Sequence, residues 1–213
     1  MAAGGKDTTR KMVITAVLGA LTAIFTFTPV GMITLPPPLP RLTLSHIPVI
    51  IAAVVEGPAV GMGVGLVFGL CSLISNWQSG VVGLSLFFRN PLVSVLPRLI
   101  VPLMAWLAAS TVEKYAKNGI VRRAAPSLGA IAGSLTNTVL CLGMIMLLYS
   151  PELTELVNNM VSGGSADAKY MANAGSWLVA AVGLPNGIIE AVAAAVLVPA
   201  VTTAVRGVKR RSR

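Results

Sequence analysis

The chain has 213 residues, of which 55% are hydrophobic and 11% are charged, and its formal net charge is +9. Soluble domains carry about 25% charged residues, so this composition excludes an ordinary soluble domain and indicates an integral membrane protein. The basic residues flank apolar stretches instead of forming a stripe on a polar face, so we expect them to meet anionic lipid headgroups and expect no nucleic-acid partner.

Six apolar stretches predict an all-α fold with six transmembrane helices. They cover residues 12–28, 44–55, 59–75, 91–112, 126–149 and 174–205. The first is close to the ~20 residues that a helical crossing needs, and the second is short. No small-residue cleavage site follows Phe25 and Phe27, so we expect a retained first helix instead of a signal peptide. We expect one membrane domain over residues 1–213, with no soluble module.

The basic residues predict the orientation of these spans. With six crossings, most of the sixteen Lys and Arg fall on one side, which the positive-inside bias makes the cytoplasmic side, together with both termini. This group comprises Lys6, Arg10, Lys11, Lys114, Lys117, Arg122, Arg123, Arg206, Lys209, Arg210, Arg211 and Arg213. The exceptions are Arg41, Arg89, Arg98 and Lys169, and a charge near hydrocarbon is costly unless it has a function or a partner. Arg41 and Arg89 are interpreted as interfacial anchors.

The connections between the first spans have distinct compositions. Pro29 to Thr43 contains Pro36, Pro37, Pro38 and Pro40, which cannot continue a helix and favour a stiff extended segment that can cover a cavity. After the second span, Glu56-Gly57-Pro58 predicts a tight cytoplasmic turn. Residues 150–173 are predicted to form the third outer loop.

Small residues recur at three- and four-residue spacing in the first and third spans. Gly57, Gly61, Gly65 and Gly69 form a ladder that we interpret as packing within the chain. Ala16 and Ala20 lie on one face of the first span with Gly19 and Ala23. For this face, packing within the chain and docking of a partner subunit both remain open.

Polar residues inside the later spans point to a binding cavity. Arg98 follows Pro97 in span four, Asn137 lies in span five, and Asn186 and Glu190 share one face of span six. An Arg in a cavity open to the outer side can hold a carboxylate through two parallel hydrogen bonds. The alternative is an ion pair between Arg98 and Glu190 that fastens two spans, which a ligand would displace. His46 is interpreted first as a satisfied structural histidine.

Missing motifs restrict the chemistry. Cys71 and Cys141 lie inside apolar stretches and the chain has one His, so we expect no disulfide, no metal site and no cofactor. The sequence has no phosphate-binding loop of the Gly-x-x-x-x-Gly-Lys-Ser/Thr type, so uphill transport would need energy from another subunit.

Several runs in fixed order resemble the substrate-binding S components of energy-coupling factor (ECF) vitamin transporters. They are Ala16-x-x-x-Ala20, Leu44-Ser45-His46-Ile47-Pro48-Val49-Ile50, Glu56-Gly57-Pro58-Ala59-Val60-Gly61, Asn90-Pro91-Leu92-Val93-Ser94-Val95-Leu96-Pro97-Arg98, Gly133-Ser134-Leu135-Thr136-Asn137-Thr138 and Asn186-Gly187-Ile188-Ile189-Glu190. The resemblance implies a six-helix protein that captures a vitamin from outside and docks on a membrane T component driven by two ATPase subunits. It implies that Ala16 and Ala20 touch this partner and that Pro29 to Thr43 gates the pocket.

The pattern is most similar to the pantothenate branch of that family. The candidate substrate-binding residues are Arg98, Asn137, Asn186, Glu190, Asn90 and His46. Arg98 and Asn137 suit a small carboxylate with hydroxyl and amide groups. The charge of Glu190 would repel a carboxylate unless Arg98 neutralises it or a substrate hydroxyl donates a hydrogen bond to it.

Two alternatives remain. Riboflavin would need aromatic walls, which Phe87, Phe88 and Trp177 could supply, although 5% aromatic residues is low and Trp177, like Trp77, is expected in the interfacial aromatic belt. A membrane-embedded enzyme would use Glu190 with His46 for acid–base chemistry. Co-purification of a vitamin and an ATPase-linked partner favours transport, and turnover by the lone chain favours an enzyme.

Overall fold

The computed structural model describes residues 2–33, 42–78, 83–163 and 173–211, and within them the chain is a bundle of helices. In chain order the helices are α1 (Ala2–Phe27), α2 (Ile47–Glu56), α3 (Pro58–Gln78), α4 (Pro91–Ser94), α5 (Leu96–Tyr115), α6 (Gly119–Arg123), α7 (Ala125–Leu148), α8 (Ser150–Ser162), α9 (Ala174–Trp177) and α10 (Leu184–Arg211). Short 3₁₀ segments cover Pro29–Gly31 and Gly83–Arg89, and a π-helical segment covers Leu178–Gly183. The all-α prediction is confirmed, apart from one pair of two-residue antiparallel strands, β1 (Met32–Ile33) and β2 (Leu42–Thr43).

Five segments are long and apolar enough to cross a membrane, which confirms the multi-pass character predicted from composition. They are Asp7–Phe27, Pro58–Gln78, Pro91–Tyr115, Ala125–Leu148 and Ala174–Val205. The first span begins earlier than predicted, because the helix extends through the polar residues that precede Met12.

The second predicted span, 44–55, differs from the prediction. Its helix, α2, has ten residues, which at ~1.5 Å per residue is roughly 15 Å, about half of the ~30 Å hydrocarbon core. Val49, Ile50, Ala52 and Ala53 are all fully buried. Helix α2 is therefore an apolar helix enclosed by the other helices, and by its own length it cannot cross a membrane.

Three glycines of the predicted ladder, Gly61, Gly65 and Gly69, pack within the chain, whereas Gly57 precedes α3 and a Cβ there would contact nothing within 4 Å in the described chain. A Cβ on Gly61 would lie 2.7 Å from side-chain atoms of Ala53 and Pro102, and one on Gly69 would lie 2.8 Å from Cα of Val95. At Gly65 an added Cβ would overlap the backbone carbonyl of Arg98. Glycine at this position therefore lets α3 contact the backbone of α5 at the residue on which the candidate site depends.

The predicted third outer loop contains a helix. In α8, Leu153 and Val157 are one turn apart and buried, whereas the polar face is exposed, so the segment is an amphipathic helix instead of an irregular connection. These two side chains belong to a hydrophobic cluster that also contains Trp177. Trp177 is only 5% exposed, so its placement in an interfacial belt was wrong, while Trp77 is 65% exposed.

Some predictions concern residues that the structure does not describe. Pro36, Pro37, Pro38 and Pro40, together with Arg41 and Lys169, lie outside the described ranges. The gating role of the segment Pro29 to Thr43 therefore stays a prediction.

Candidate functional site

Arg98 lies in the first turn of α5, directly after the break that separates α5 from α4. Pro97 has no N–H, so the carbonyl of Val93, four residues earlier, loses its helical donor. Nη1 of Arg98 donates to that carbonyl at 2.7 Å and to Sγ of Cys141 on α7 at 2.9 Å. The proline thus frees the acceptor that fixes one end of the guanidinium group.

Two aromatic rings enclose the same guanidinium group. Cζ of Arg98 lies 5.2 Å from the ring centroid of Phe68 and 5.3 Å from that of Phe88, and the side chain is only 6% exposed. Nε is buried without a hydrogen-bond partner, and Nη2 forms no hydrogen bond with the described residues. The edge that carries Nε and Nη2 is therefore unused, and its two parallel N–H groups match the geometry of a carboxylate.

Glu190, on α10, is buried but does not pair with Arg98. Its Oε1 accepts a hydrogen bond from the backbone N–H of Thr43 at 3.1 Å and another from the Thr43 hydroxyl. In the described part of the chain the two charged side chains form no ion pair, so the ion-pair alternative was wrong. Glu190 instead fastens β2 to α10, and its Oε2 accepts no hydrogen bond from a described residue.

His46 immediately precedes α2 and is only 1% exposed. Its ring interacts electrostatically with both Glu190 and Arg98, which brings the cation, the carboxylate and the imidazole into one region. The backbone of Thr43 lies within weak hydrogen-bonding range of the ring, and no described residue gives either ring nitrogen a hydrogen bond of normal geometry. The interpretation of His46 as a satisfied structural histidine therefore stays a prediction, and a buried ring with so weak a contact would gain from a ligand that bonds it.

Of the three candidate asparagines, Asn137 and Asn186 lie with the other candidate residues, whereas Asn90 has a structural role. On α7, Oδ1 of Asn137 accepts from Sγ of Cys141 at 3.7 Å, which links Asn137 to Arg98 through the thiol. Oδ1 of Asn186, one turn before Glu190 on α10, is buried and accepts no hydrogen bond from the described residues. Asn90 is already engaged: its Oδ1 caps α4, and its Nδ2 donates to the hydroxyl of Tyr149 at 2.9 Å.

A π-helical segment directly precedes the part of α10 that carries Asn186 and Glu190. Pro185 has no N–H and its ring would clash with the carbonyl four residues earlier in a regular helix. The wider turn of residues 178–183 precedes this proline and accommodates it.

Ala16 and Ala20 are exposed and line a groove between α1 and α3 with a volume of about 620 Å³. Gly19, between them in sequence, faces inward against Val67. No described residue buries the two alanines, so packing within the chain does not account for them. Toward the start of the span the groove is lined by Lys11 and Thr8.

Sequence reasoning missed several contributors to the site. The hydroxyl of Ser134 on α7 is fully buried and has no hydrogen-bond partner in the described part of the chain. Ser134, Asn137 and Cys141 are spaced i, i+3 and i+7, so helical periodicity alone could have identified this polar face. No sequence signal could have found Thr43, because its contact with Glu190 joins residues 147 positions apart.

The arrangement is suited to binding a ligand with a carboxylate group. It offers two unused N–H groups on a buried cation, and it offers unpaired polar atoms on His46, Asn186 and Ser134. Over the described ranges, no three His, Cys, Asp or Glu side chains are grouped as metal ligands.

Comparison with known proteins identifies related sequences. Residues 10–202 match the family model described as the ECF transporter, substrate-specific component. The chain is also 26% identical to the pantothenic acid transporter PanT of Lactococcus lactis subsp. cremoris (strain MG1363), with 80% of each chain covered.

Proposed function

The chain belongs to the family of ECF transporter substrate-specific components, and from that premise we propose that it captures pantothenate outside the cell and delivers it inward. As a member of this family, it is a multi-pass protein of the cell membrane. In this proposal a membrane T component and two ATPase subunits supply the transport energy, and residues 1–213 act as one binding domain.

The unused edge of Arg98 is the observation that carries the choice of a carboxylate. Phe68 and Phe88 hold the guanidinium plane, and Val93 and Cys141 occupy Nη1, so Nε and Nη2 are oriented before a ligand arrives. A preorganised donor pair binds more tightly, because less side-chain entropy is lost on binding. The pantothenate carboxylate would accept from both nitrogens.

The remaining candidates would bind the neutral part of pantothenate. Asn137, Asn186 and His46 offer amide and imidazole groups to its amide and hydroxyls, and Glu190 offers an acceptor to a hydroxyl donor. The named pantothenic acid transporter among the relatives favours the same ligand. Asn90 would contribute indirectly, by holding α4.

In this proposal the chain crosses the membrane six times, and both termini lie in the cytoplasm. Arg10, near the start of α1, forms an ion pair with Glu56 at the end of α2, so these two ends lie at the same end of the bundle. Helix α1 runs away from that end, and the chain must return before α3 begins. Helix α2 would be the buried part of this return passage, and the short segments before it would complete the crossing.

The groove at Ala16 and Ala20 would receive the T component. Small side chains let a partner helix approach the backbone of α1 closely, which is how helices associate in lipid. The described chain leaves this face uncovered, which supports docking there.

Calorimetric titration of the purified protein with pantothenate and with riboflavin tests the ligand. We expect saturable binding of one pantothenate per chain and no heat of binding with riboflavin. Binding of riboflavin without pantothenate would contradict the proposal and favour the flavin alternative.

A further inference from the structure

We propose that the binding site has a second pole, formed by the Ser134 hydroxyl and Oε2 of Glu190, that recognises hydroxyl groups at the end of the ligand remote from its carboxylate. This inference rests on the proposed function and extends it from the carboxylate to the opposite end of the substrate.

The packing of α7 against α10 brings the two groups to the same level of the bundle. A Cβ on Gly183 would contact Leu142, and one on Gly187 would lie 3.3 Å from Cγ2 of Thr138. Moving four residues along α10, from Gly183 to Gly187, therefore moves the contact four residues back along α7, from Leu142 to Thr138, as expected for antiparallel helices. Extending this register by three residues brings Glu190 level with residue 135, next to Ser134 in the chain.

The hydroxyl of Ser134 has an unusual status for a serine in a helix. A helical Ser or Thr hydroxyl ordinarily donates to the carbonyl four residues earlier, as Thr136 does to Ala132 at 2.7 Å. Ser134 is 0% exposed and its hydroxyl forms no hydrogen bond with a described residue. Such a group costs free energy until something bonds it, so its position is explained if the ligand supplies the partner.

The separation of the two poles defines the length of the ligand. Ser134 and Cys141 are seven residues apart on one face of α7, and Cys141 contacts Arg98. At ~1.5 Å per residue this separation is roughly 10 Å along the helix, about the length of three extended peptide units. Pantothenate, a β-alanine carboxylate joined by an amide to a dihydroxy acid, has this length.

The charges at the two ends of the site define the chemical class of the ligand. Arg98 presents donors at one pole, whereas Oε2 of Glu190 presents a negatively charged acceptor at the other. Like charges repel in a buried site, so a second acidic group on the ligand would be rejected there. The site therefore selects monocarboxylates with hydroxyl donors at the distal end over dicarboxylates and phosphorylated compounds.

Ser134→Ala tests the second pole with pantothenate as the probe. The substitution removes one oxygen, so we expect the ligand-free protein to unfold at an unchanged or higher temperature, because an unpaired buried hydroxyl is lost. We expect affinity for pantothenate to fall roughly five- to tenfold, the effect of losing one hydrogen bond. The matched control is Thr136→Val on the same helix, whose hydroxyl bonds its own backbone and whose loss should leave the affinity unchanged.

The possible outcomes are distinct. Pantothenate binding by Ser134→Ala within twofold of wild type, with binding still lost in Arg98→Lys, would overturn the second pole and leave the proposed function intact. A wild-type protein that does not bind pantothenate would overturn both. If Ser134→Ala does not fold, Ser134→Cys keeps the shape of the side chain and replaces the hydroxyl with a somewhat larger and weaker donor, and the same loss of affinity is expected.

Discussion

Replacing Arg98 by Lys separates the carboxylate anchor from every other role of this residue. Lysine keeps the positive charge, and its ammonium group can still approach the Val93 carbonyl and the rings of Phe68 and Phe88. It cannot present two parallel N–H groups to a carboxylate. The substitution therefore removes the unused Nε–Nη2 edge while it preserves the charge of the site.

The expected loss of pantothenate affinity follows from removing one hydrogen bond between residue 98 and the carboxylate. A hydrogen bond to a charged group contributes about 1.5–3 kcal/mol, which corresponds to a roughly ten- to hundredfold weaker affinity for pantothenate. Panthenol replaces the carboxylate with a hydroxymethyl group, so Arg98→Lys should change its affinity much less. The difference between the two ligands isolates the contact with the carboxylate, as in a double-mutant cycle.

Calorimetry of wild type and Arg98→Lys with both ligands provides the measurement, and thermal unfolding of the ligand-free proteins reports damage to the fold. Arg89→Lys is the matched control, because this arginine also lies near an aromatic ring, at 6.0 Å from that of Trp77, but outside the proposed site. An equal loss of affinity for pantothenate and panthenol would refute the carboxylate anchor.

Two further predictions address positioning and docking. Gly65→Ala should destabilise the protein by about 1–3 kcal/mol through overpacking and weaken pantothenate binding, because the added Cβ overlaps the Arg98 carbonyl. Gly143→Ala, where an added Cβ contacts nothing within 4 Å in the described ranges, is the control in thermal unfolding and in titration. Equal behaviour of the two variants would argue against the close contact at Gly65. Ala20→Trp should abolish pantothenate uptake in cells and leave pantothenate binding intact. The control is Val17→Trp, at an exposed position of the same helix outside the groove, which should transport normally. Normal uptake by Ala20→Trp would show that the T component docks elsewhere.

Much of the fold could be predicted from sequence because hydropathy and length identify long apolar helices directly. Helix α2 is harder to assign from sequence, because burial by protein and burial by lipid select the same apolar residues, and only its ten-residue length distinguishes it from a full crossing. Helix α8 was missed because the polar residues of an amphipathic segment resemble those of a loop, although Leu153 and Val157 carry the helical spacing.

The site was predicted in part for a similar reason. Arg98, Glu190 and His46 were identified because ionisable groups inside apolar stretches are conspicuous, and the structure brings them into one region. Their pairing could not be predicted, since Glu190 finds its donor in Thr43, far away in sequence. The acceptor that holds Arg98 could have been derived, because Pro97 always deprives the carbonyl four residues earlier of its helical donor.

Native mass spectrometry of the wild-type protein, incubated with equal concentrations of pantothenate and riboflavin, tests the identity of the substrate most directly. We expect a single adduct with the mass of one pantothenate, and we expect this adduct to be strongly reduced in Arg98→Lys. An adduct with the mass of riboflavin, or a pantothenate adduct that persists undiminished in Arg98→Lys, would contradict it.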